Sequence, residues 1–302
     1  MYPNGADFGL SLTFDIEMCT NFPYWTSVWD HRKGAIDEDS KLYMGKMLDV
    51  ADEFGVKFQF FLVGRALEDP DIDYLKRMTA EGHAVDNHTY NHVSVKAQDI
   101  PQLQPVYTNA PWRAAGLNAL ECIEREVRQT STAITEKLGV APTGFRTPGG
   151  FNNGLDDVPA VQEVLSDAGM QYASARYYFP VDPKQKRPSA DVLNQAMEAS
   201  IDELQPSRYP NGLPELPLAG ITDIWAFRVL DLDRWEFINV LKRGIDHAHA
   251  NQQVLSLCFH PPVLAVRDPH CDMLNIVLRY ALDKPGGCWV TTNQEMVAHT
   301  LN

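Results

Sequence analysis

The sequence predicts an α/β fold whose parallel strands form an open sheet or a barrel. Short apolar runs that suit buried strands alternate along the chain with segments in which apolar residues recur at helical spacing. Unusual polar residues follow several of these runs, and in a barrel the carboxyl ends of the strands converge on one face. No internal repeat or linker divides the 302 residues, so we expect one domain over 1–302.

The first predicted strand covers 10–17 and is an apolar run that ends in carboxylates. Side chains alternate along a strand, so Asp15 and Glu17 can share a face. The helix that follows has cap residues at 37–40, apolar residues at helical spacing and a stop at Gly55. The alternation of strand and helix therefore begins near the amino terminus.

The same alternation continues to the end of the chain. Apolar or alternating runs predict further strands over 56–62, 81–86, 142–145, 171–175, 254–260 and 288–291. Apolar residues three and four apart predict further helices over 71–80, 120–138, 158–168, 192–204, 238–248 and 272–282. The proline-rich stretch 180–217 predicts a long excursion from this pattern. Polar residues at or just past predicted strand ends are Asp15, Glu17, His88, His92, Arg146, Asp223 and His260.

The pair His88 and His92 indicates a metal site. If this segment turns helically, both imidazoles lie on one face and can point at a common atom. A catalytic zinc ion takes three protein ligands and leaves one position for water, so a third ligand is needed. One acid of the first strand can supply it, and the other can move protons. The alternatives are a solvated strand end and a histidine pair that arose by accident.

Composition argues against two classes of partner. The formal net charge of -14 speaks against nucleic acid and anionic membrane surfaces, because both bind basic patches. No apolar run is long enough to span a membrane, and the first residues do not resemble a signal peptide. If the chain is complete, we expect a cytoplasmic protein. Five cysteines without a Cys-x-x-Cys pair predict reduced thiols.

The segment 19–34 is rich in aromatic residues and has neither helical nor strand periodicity. Because it directly follows the first strand, it can form a wall for sugar rings or other flat substrates. It can equally be a flap packed on the barrel or a contact between subunits. A symmetric homo-oligomer is the base-rate expectation for such a protein.

Four motifs of this sequence resemble, in order and spacing, those of the polysaccharide deacetylase family (carbohydrate esterase family 4). They are Asp15-x-Glu17, His88-Thr89-Tyr90-Asn91-His92, Arg146-x-Pro148-Gly149-Gly150 and Leu257-Cys258-Phe259-His260-Pro261. The resemblance implies a distorted (β/α) barrel with parallel strands and an active site at their carboxyl ends. It also implies a metal-dependent hydrolase of a non-peptide C–N amide bond that deacetylates an N-acetylated sugar.

The resemblance also implies roles for individual residues. The implied ligands of a divalent metal, expected to be Zn²⁺, are Glu17, His88 and His92. Asp15 would be the catalytic base, Arg146 would orient that base, and His260 would be the general acid. Asp223 could keep His260 protonated, whereas Trp225 could belong to the site or simply pack in the core.

The sequence departs from the family pattern at two places. The family usually has two adjacent aspartates, whereas Asp15 and Glu17 are separated by one residue, so their roles could be exchanged. In the spacing of these two acids, the sequence resembles the branch of the family that contains intracellular peptidoglycan-deacetylase-like and allantoinase-like proteins. Gly149 also stands where the family usually has an aromatic residue, which Phe151 could replace.

Three functions therefore stay open. Deacetylation of a small or oligomeric N-acetylated sugar is the leading hypothesis. Hydrolysis of a cyclic amide or imide ring by the same metal chemistry is the second, and the spaced acids and Gly149 favour it. The third is a carbohydrate-binding protein without catalytic activity.

Overall fold

The computed structural model describes residues 2–20 and 33–301. The aromatic residues for which we predicted a wall, a flap or a subunit contact lie outside this described part: Phe22, Tyr24, Trp25 and Trp29. The described strands are β1 Phe8–Ile16, β2 Gln59–Leu62, β3 Ala84–Asn87, β4 Gly144–Phe151, β5 Tyr172–Arg176, β6 Ser207–Arg208, β7 Pro214–Glu215, β8 Val254–Phe259 and β9 Cys288–Val290. The described α-helices are α1 Glu38–Phe54, α2 Asp73–Ala80, α3 Ile100–Leu103, α4 Pro105–Asn109, α5 Ala119–Leu138, α6 Pro159–Asp167, α7 Ala190–Glu203, α8 Arg234–Asn251, α9 Pro261–Arg267, α10 Asp272–Leu282 and α11 Asn293–Leu301.

The strands of the described chain form one curled sheet. Their order is β6-β7-β5-β4-β3-β2-β1-β8, and β9 pairs with the start of β1. Among these pairs only β6 with β7 is antiparallel. Because the sheet curls into a half-barrel with helices around it, the predicted distorted (β/α) barrel with parallel strands is confirmed.

Strand β1 pairs with three other strands of this sheet and is buried over its whole length. It pairs with β2 on one side and with β8 on the other. Phe14 packs its ring against Phe58, Phe60 and Phe259 in the main hydrophobic core. Side chains alternate along the strand, so the neighbouring residue Asp15 points to the opposite face, inside the barrel.

An irregular segment, rather than a strand, lies between β5 and β8, the two strands that face each other across the seam of the barrel. The backbone N–H of Leu216 donates to β5, whereas that of Ala219 donates to Ser256 of β8, each at 2.9 Å. Pro217 cannot donate to a ladder, and Gly220 has φ of +82°. The prediction that Asp223 follows a strand is therefore wrong.

Capping residues and apolar residues at helical spacing predicted most of the longer helices of the described chain. Helix α1 begins after Asp37, whose side chain accepts from the backbone N–H of Ser40, and ends at Gly55 with φ of +64°. Helices α3, α4, α9 and α11 were not predicted. Prolines open α9, which suits a first turn whose N–H groups have no helical partner. Among the described helices, none is long and apolar enough to cross a membrane.

Candidate active site

A carboxylate and two imidazoles meet beyond the carboxyl ends of β1 and β3. Oε2 of Glu17 lies 3.2 Å from His88 Nε2 and 2.5 Å from His92 Nε2. The ligand atoms of these three buried side chains lie within 4.8 Å of one another. Around a tetrahedral zinc ion, oxygen and nitrogen ligands at about 2.0 to 2.1 Å from the metal are about 3.3 Å apart. The cluster therefore fits a divalent ion after a small opening between Glu17 and His92.

The two histidines lie on a loop, so the helical turn suggested by their spacing is not formed. Thr89 and His92 have φ of 60° and 59°, a left-handed conformation that an α-helix does not use. The N–H of Thr89 donates to Asn87 Oδ1 at 2.9 Å, and the N–H of Val93 donates to Thr89 Oγ1 at 3.1 Å. These bonds bring the rings of His88 and His92 together, with centroids 5.0 Å apart.

The far side of this loop is held by a buried glutamate of α5. Glu126 accepts from the backbone N–H and the side-chain amide of Asn91, at 2.6 and 2.7 Å. It also accepts from the hydroxyl of Tyr107 at 2.6 Å, and Arg125 donates to that hydroxyl at 3.0 Å. Because Asn91 directly precedes His92, these bonds hold the backbone that carries the second histidine.

The surroundings of the cluster set its protonation. Nδ1–H of His88 donates to the backbone oxygen of Arg146 at 2.9 Å, which leaves the Nε2 lone pair facing Glu17. Burial lowers the pKa of His92 to about 4. Burial alone would raise the pKa of Glu17, but its electrostatic interactions with His92 and with the Lys33 ammonium hold it well below its ordinary value. A neutral His92 and an ionised Glu17 are the states that a metal requires.

A buried lysine also contacts the carboxylate. Nζ of Lys33 donates to Glu17 Oε1 and lies 3.4 Å from His92 Nε2. The ammonium thus contacts Oε1 of Glu17, whereas His88 and His92 contact Oε2. A bound metal ion would therefore share the negative charge of Glu17 with the ammonium of Lys33. Sequence analysis missed Lys33, because a single lysine at the end of an aromatic segment carries no pattern.

Asp15 lies near the end of β1 and is held by Arg146. Nη1 of Arg146 donates to Asp15 Oδ1 at 2.8 Å and to Thr13 Oγ1 at 2.7 Å. Nη2 donates to Ser174 Oγ at 3.1 Å, and the guanidinium carbon lies 4.1 Å from the centre of the Phe61 ring. Burial alone would raise the pKa of Asp15, but the charge of Arg146 outweighs burial and lowers the pKa. Asp15 is therefore an ionised carboxylate at neutral pH.

His260 follows β8 and faces the same two acids. Its Nδ1–H donates to Asp223 Oδ1 at 2.8 Å, and its backbone N–H donates to Asp223 Oδ2 at 2.6 Å. Its Nε2 lies 3.9 Å from Asp15 Oδ2 and 3.7 Å from Glu17 Oε1. Burial alone lowers the pKa of His260, but the charge of Asp223, followed by those of the two acids, raises it above its ordinary value. His260 thus keeps its proton to a higher pH than an exposed histidine does.

The structure brings the six predicted site residues together in one region. They are Asp15, Glu17, His88, His92, Arg146 and His260. Arg146 is the third residue of β4 and not past a strand end, because the strand continues to Phe151 across a register shift. Trp225 packs its ring against Tyr177 and Phe179, which agrees with the alternative that it is a core residue.

Cys258 is a second residue of this region that sequence analysis missed. Its buried thiol donates to Asp15 Oδ2 at 3.5 Å. Burial, followed by the charge of Asp15, raises the pKa of the thiol well above its ordinary value. The alternation of side chains along a strand was a usable signal, because it places Cys258 on the same face as His260.

The sequence matches one protein family and several curated relatives. The polysaccharide deacetylase family matches residues 9–173. A chitooligosaccharide deacetylase of Rhizobium leguminosarum bv. trifolii is 29% identical over 187 residues, which cover 59% of this chain and 72% of that relative. Two other curated relatives are matched over 32% and 34% of their own length, so the chain aligns with about a third of each.

Solved structures share the fold over nearly the whole chain. One described as a polysaccharide deacetylase from Mycobacterium smegmatis superposes with a TM-score of 0.65 at 18% identity, covering 99% of this chain and 92% of that one. The Puue allantoinase superposes with a TM-score of 0.64 at 16% identity, covering 99% and 91%. At these identities the likeness shows the fold alone.

Proposed function

Because the chain belongs to the polysaccharide deacetylase family, we propose that it is a metal-dependent hydrolase that removes the acetyl group from an N-acetylated sugar. The observation that carries this proposal is the buried cluster of Glu17, His88 and His92 beside Asp15 and His260. Similarity to a chitooligosaccharide deacetylase supports a small or oligomeric sugar as the substrate.

We assign the metal to Glu17, His88 and His92, and we expect it to be zinc. The Glu17 carboxylate contacts both imidazoles, whereas Oδ2 of Asp15 lies 4.0 Å from His88 Nε2 and Oδ1 is bonded to Arg146. This difference in contacts supports Glu17 as the ligand and Asp15 as the base. A zinc ion held here would lower the pKa of a bound water to about 7 and polarise the amide carbonyl.

Asp15 is placed to take the proton of the attacking water. Arg146 keeps its carboxylate ionised and occupies Oδ1, so that Oδ2 faces the cluster. A base positioned in this way contributes roughly 10² to 10⁴-fold to the rate. Arg146 acts on the reaction only through Asp15 and is therefore a positioning residue.

His260 is placed to donate a proton to the leaving amine. Its Nε2 faces Asp15 and Glu17, and its Nδ1–H is bonded to Asp223. The raised pKa favours the protonated imidazole. The amine nitrogen takes this proton as the C–N bond breaks, so acetate and a free amino sugar are the products.

The test is an assay of acetate release from N-acetylated chitooligosaccharides. The wild type should release acetate, lose this activity after chelation and recover it with zinc. His88→Ala should bind no metal at this site, whereas Asp15→Asn should keep the metal and lose about 10² to 10⁴-fold in kcat. Equal activity before and after exhaustive chelation would end the metal mechanism.

A cyclic amide or imide is the second candidate substrate, and the surroundings of Gly149 favour it. Gly149 has φ of 79°, and among the described residues nothing lies within 4 Å of where its Cβ would be. Gly149 therefore supplies no aromatic side chain at the position where the family usually has one. The same preparation should then be incubated with cyclic imides. A ring-opened acid without acetate would move the assignment to this substrate class.

A further inference from the structure

A second group of metal-binding side chains lies beside the first. Asp15, Cys258 and His260 are buried, and their ligand atoms lie within 4.8 Å of one another. Sγ of Cys258 is 3.5 Å from Asp15 Oδ2, and Nε2 of His260 is 3.9 Å from the same oxygen. The proposed reaction uses Asp15 and His260 for proton transfer and gives Cys258 no role.

These distances suit a tetrahedral metal ion. With a Zn–S bond of about 2.3 Å and a Zn–O bond of about 2.0 Å, a bound thiolate sulfur and carboxylate oxygen are about 3.5 Å apart. The observed separation of Cys258 Sγ and Asp15 Oδ2 equals this value. The imidazole nitrogen would have to approach the oxygen by roughly 0.6 Å to reach the tetrahedral spacing, which a small rotation of the His260 ring allows.

The sheet and a second carboxylate hold this geometry. Thr13 of β1 is in register with Cys258 of β8, so that Asp15 and His260, two residues further on, are neighbours on the same face. The Nδ1–H of His260 donates to Asp223, so the Nε2 lone pair faces Asp15 once the ring has lost its Nε2 proton. A carboxylate that orients a histidine in this way is typical of metal-binding histidines.

We propose that Asp15, Cys258 and His260 bind a second, thiophilic divalent ion, such as Zn²⁺, Co²⁺ or Cd²⁺, and that this ion inhibits the enzyme. On binding, the Cys258 thiol and the Nε2–H of His260 each lose a proton to solvent, and the thiolate and the carboxylate together balance the two charges of the ion. The ion occupies Asp15 Oδ2 and His260 Nε2, so neither can transfer a proton. Binding does not depend on the proposed function, whereas the inhibition rests on it.

The occupancy of the two sites should differ. The second ion has to displace a thiol proton and the Nε2 proton of His260, so we expect it to bind more weakly than an ion at Glu17, His88 and His92. Sulfur is absent from the first cluster and present in the second. Spectra that respond to a metal–thiolate bond therefore distinguish the two sites.

The first experiment is a Co²⁺ titration of the metal-free, full-length protein followed by absorption spectroscopy. The wild type should show cobalt d–d bands with the first equivalent and a thiolate-to-cobalt charge-transfer band only with the second. Cys258→Ser should lose the charge-transfer band and keep the first equivalent, whereas the control Cys288→Ser should keep both. A wild type without this band in excess Co²⁺, or a band retained in Cys258→Ser, would overturn the proposal.

Further variants separate this proposal from the proposed function. His88→Ala should lose the first equivalent but keep the charge-transfer band, so failure of the first cluster alone leaves the second intact. Cys258→Ala repeats the test if the serine variant does not fold, as judged by circular dichroism. If the band behaves as expected but no amide is hydrolysed, the proposed function fails and the second site stands.

The second experiment measures inhibition by excess zinc. Initial rates of each variant are compared with its own rate at one equivalent of zinc. The wild type should be inhibited as zinc rises further, and the midpoint should move at least about tenfold higher in Cys258→Ser, as expected for loss of one ligand. Coincident inhibition curves would show that zinc does not inhibit through Cys258.

Discussion

At the scale of single residues, two carboxylates only two positions apart have different partners. Asp15 is bonded to Arg146 and Cys258 inside the barrel, whereas Glu17 contacts both histidines and Lys33 at its mouth. The charges of these neighbours lower the pKa of both acids against the effect of burial. Both acids are therefore ionised, and their contacts, rather than their acidity, distinguish the proposed metal ligand from the proposed base.

Lys33 should weaken metal binding, because its ammonium shares the charge of Glu17 with the metal. Lys33→Met removes this competition, so we expect the metal dissociation constant to fall by about fivefold or more, given an interaction between close charges of about 1 to 4 kcal/mol. Competition with a chromophoric chelator measures this constant. Lys137→Met, at an exposed position of α5, is the control. Weaker binding in Lys33→Met would instead mean that the lysine orients the carboxylate for the metal.

At the scale of elements, the loop after β3 depends on α5. Thr89 and His92 both adopt the left-handed conformation, which costs a residue other than glycine roughly 1 kcal/mol or more. Glu126 offsets this cost by accepting two hydrogen bonds from Asn91. The backbone that carries His92 is thus held by a residue outside the proposed metal ligands and the proposed base.

Glu126→Gln should weaken metal binding without unfolding the protein. The glutamine amide nitrogen cannot accept a hydrogen bond, so at least one donor of Asn91 or Tyr107 loses its partner. Loss of such a supporting contact typically costs 10 to roughly 100-fold in metal affinity. Metal dissociation constants and melting temperatures should be measured together, with Glu136→Gln on the exposed face of α5 as the control. Equal affinities in the two variants would contradict the role of this contact.

At the scale of the whole molecule, stability near neutral pH depends on a buried acid at the seam of the barrel. Glu215 accepts from the backbone N–H groups of Ala175 and Arg176 in β5 and from the hydroxyl of Tyr209. Burial outweighs these bonds and raises its pKa from 4.5 to about 7. Between these two values the folded protein holds a proton that the unfolded chain has released.

This proton makes the free energy of unfolding fall as pH rises. The contribution of Glu215 is fully present below pH 4.5 and is lost as pH rises through about 7. Glu215→Gln stays neutral, so the wild type should lose up to about 3 kcal/mol relative to this variant across that window. Urea unfolding at a series of pH values measures the difference, with the exposed Glu203→Gln as the control. A constant difference between wild type and Glu215→Gln would mean that Glu215 does not titrate there.

Local patterns were sufficient for the alternating elements and for the residues that follow the strands. Apolar periodicity and caps depend on neighbours within a few positions, so they identified β1, β8, α1 and the Asp15, Glu17, His88, His92 and His260 positions directly. Each of these signals lies within one short segment and does not require knowledge of how segments pack.

Only the tertiary structure decided which side chains meet at these positions. Cys258 and Asp15 are 243 residues apart, Glu126 and Asn91 are 35 apart, and neither pair has a spacing that a local pattern can detect. The seam between β5 and β8 likewise depends on bonds from an irregular segment. The sequence by itself thus determined the type of fold and indicated the chemistry that we propose. The packing of distant segments decided which side chains form the two clusters and which residues support them, because contacts across a barrel join residues that are remote along the chain.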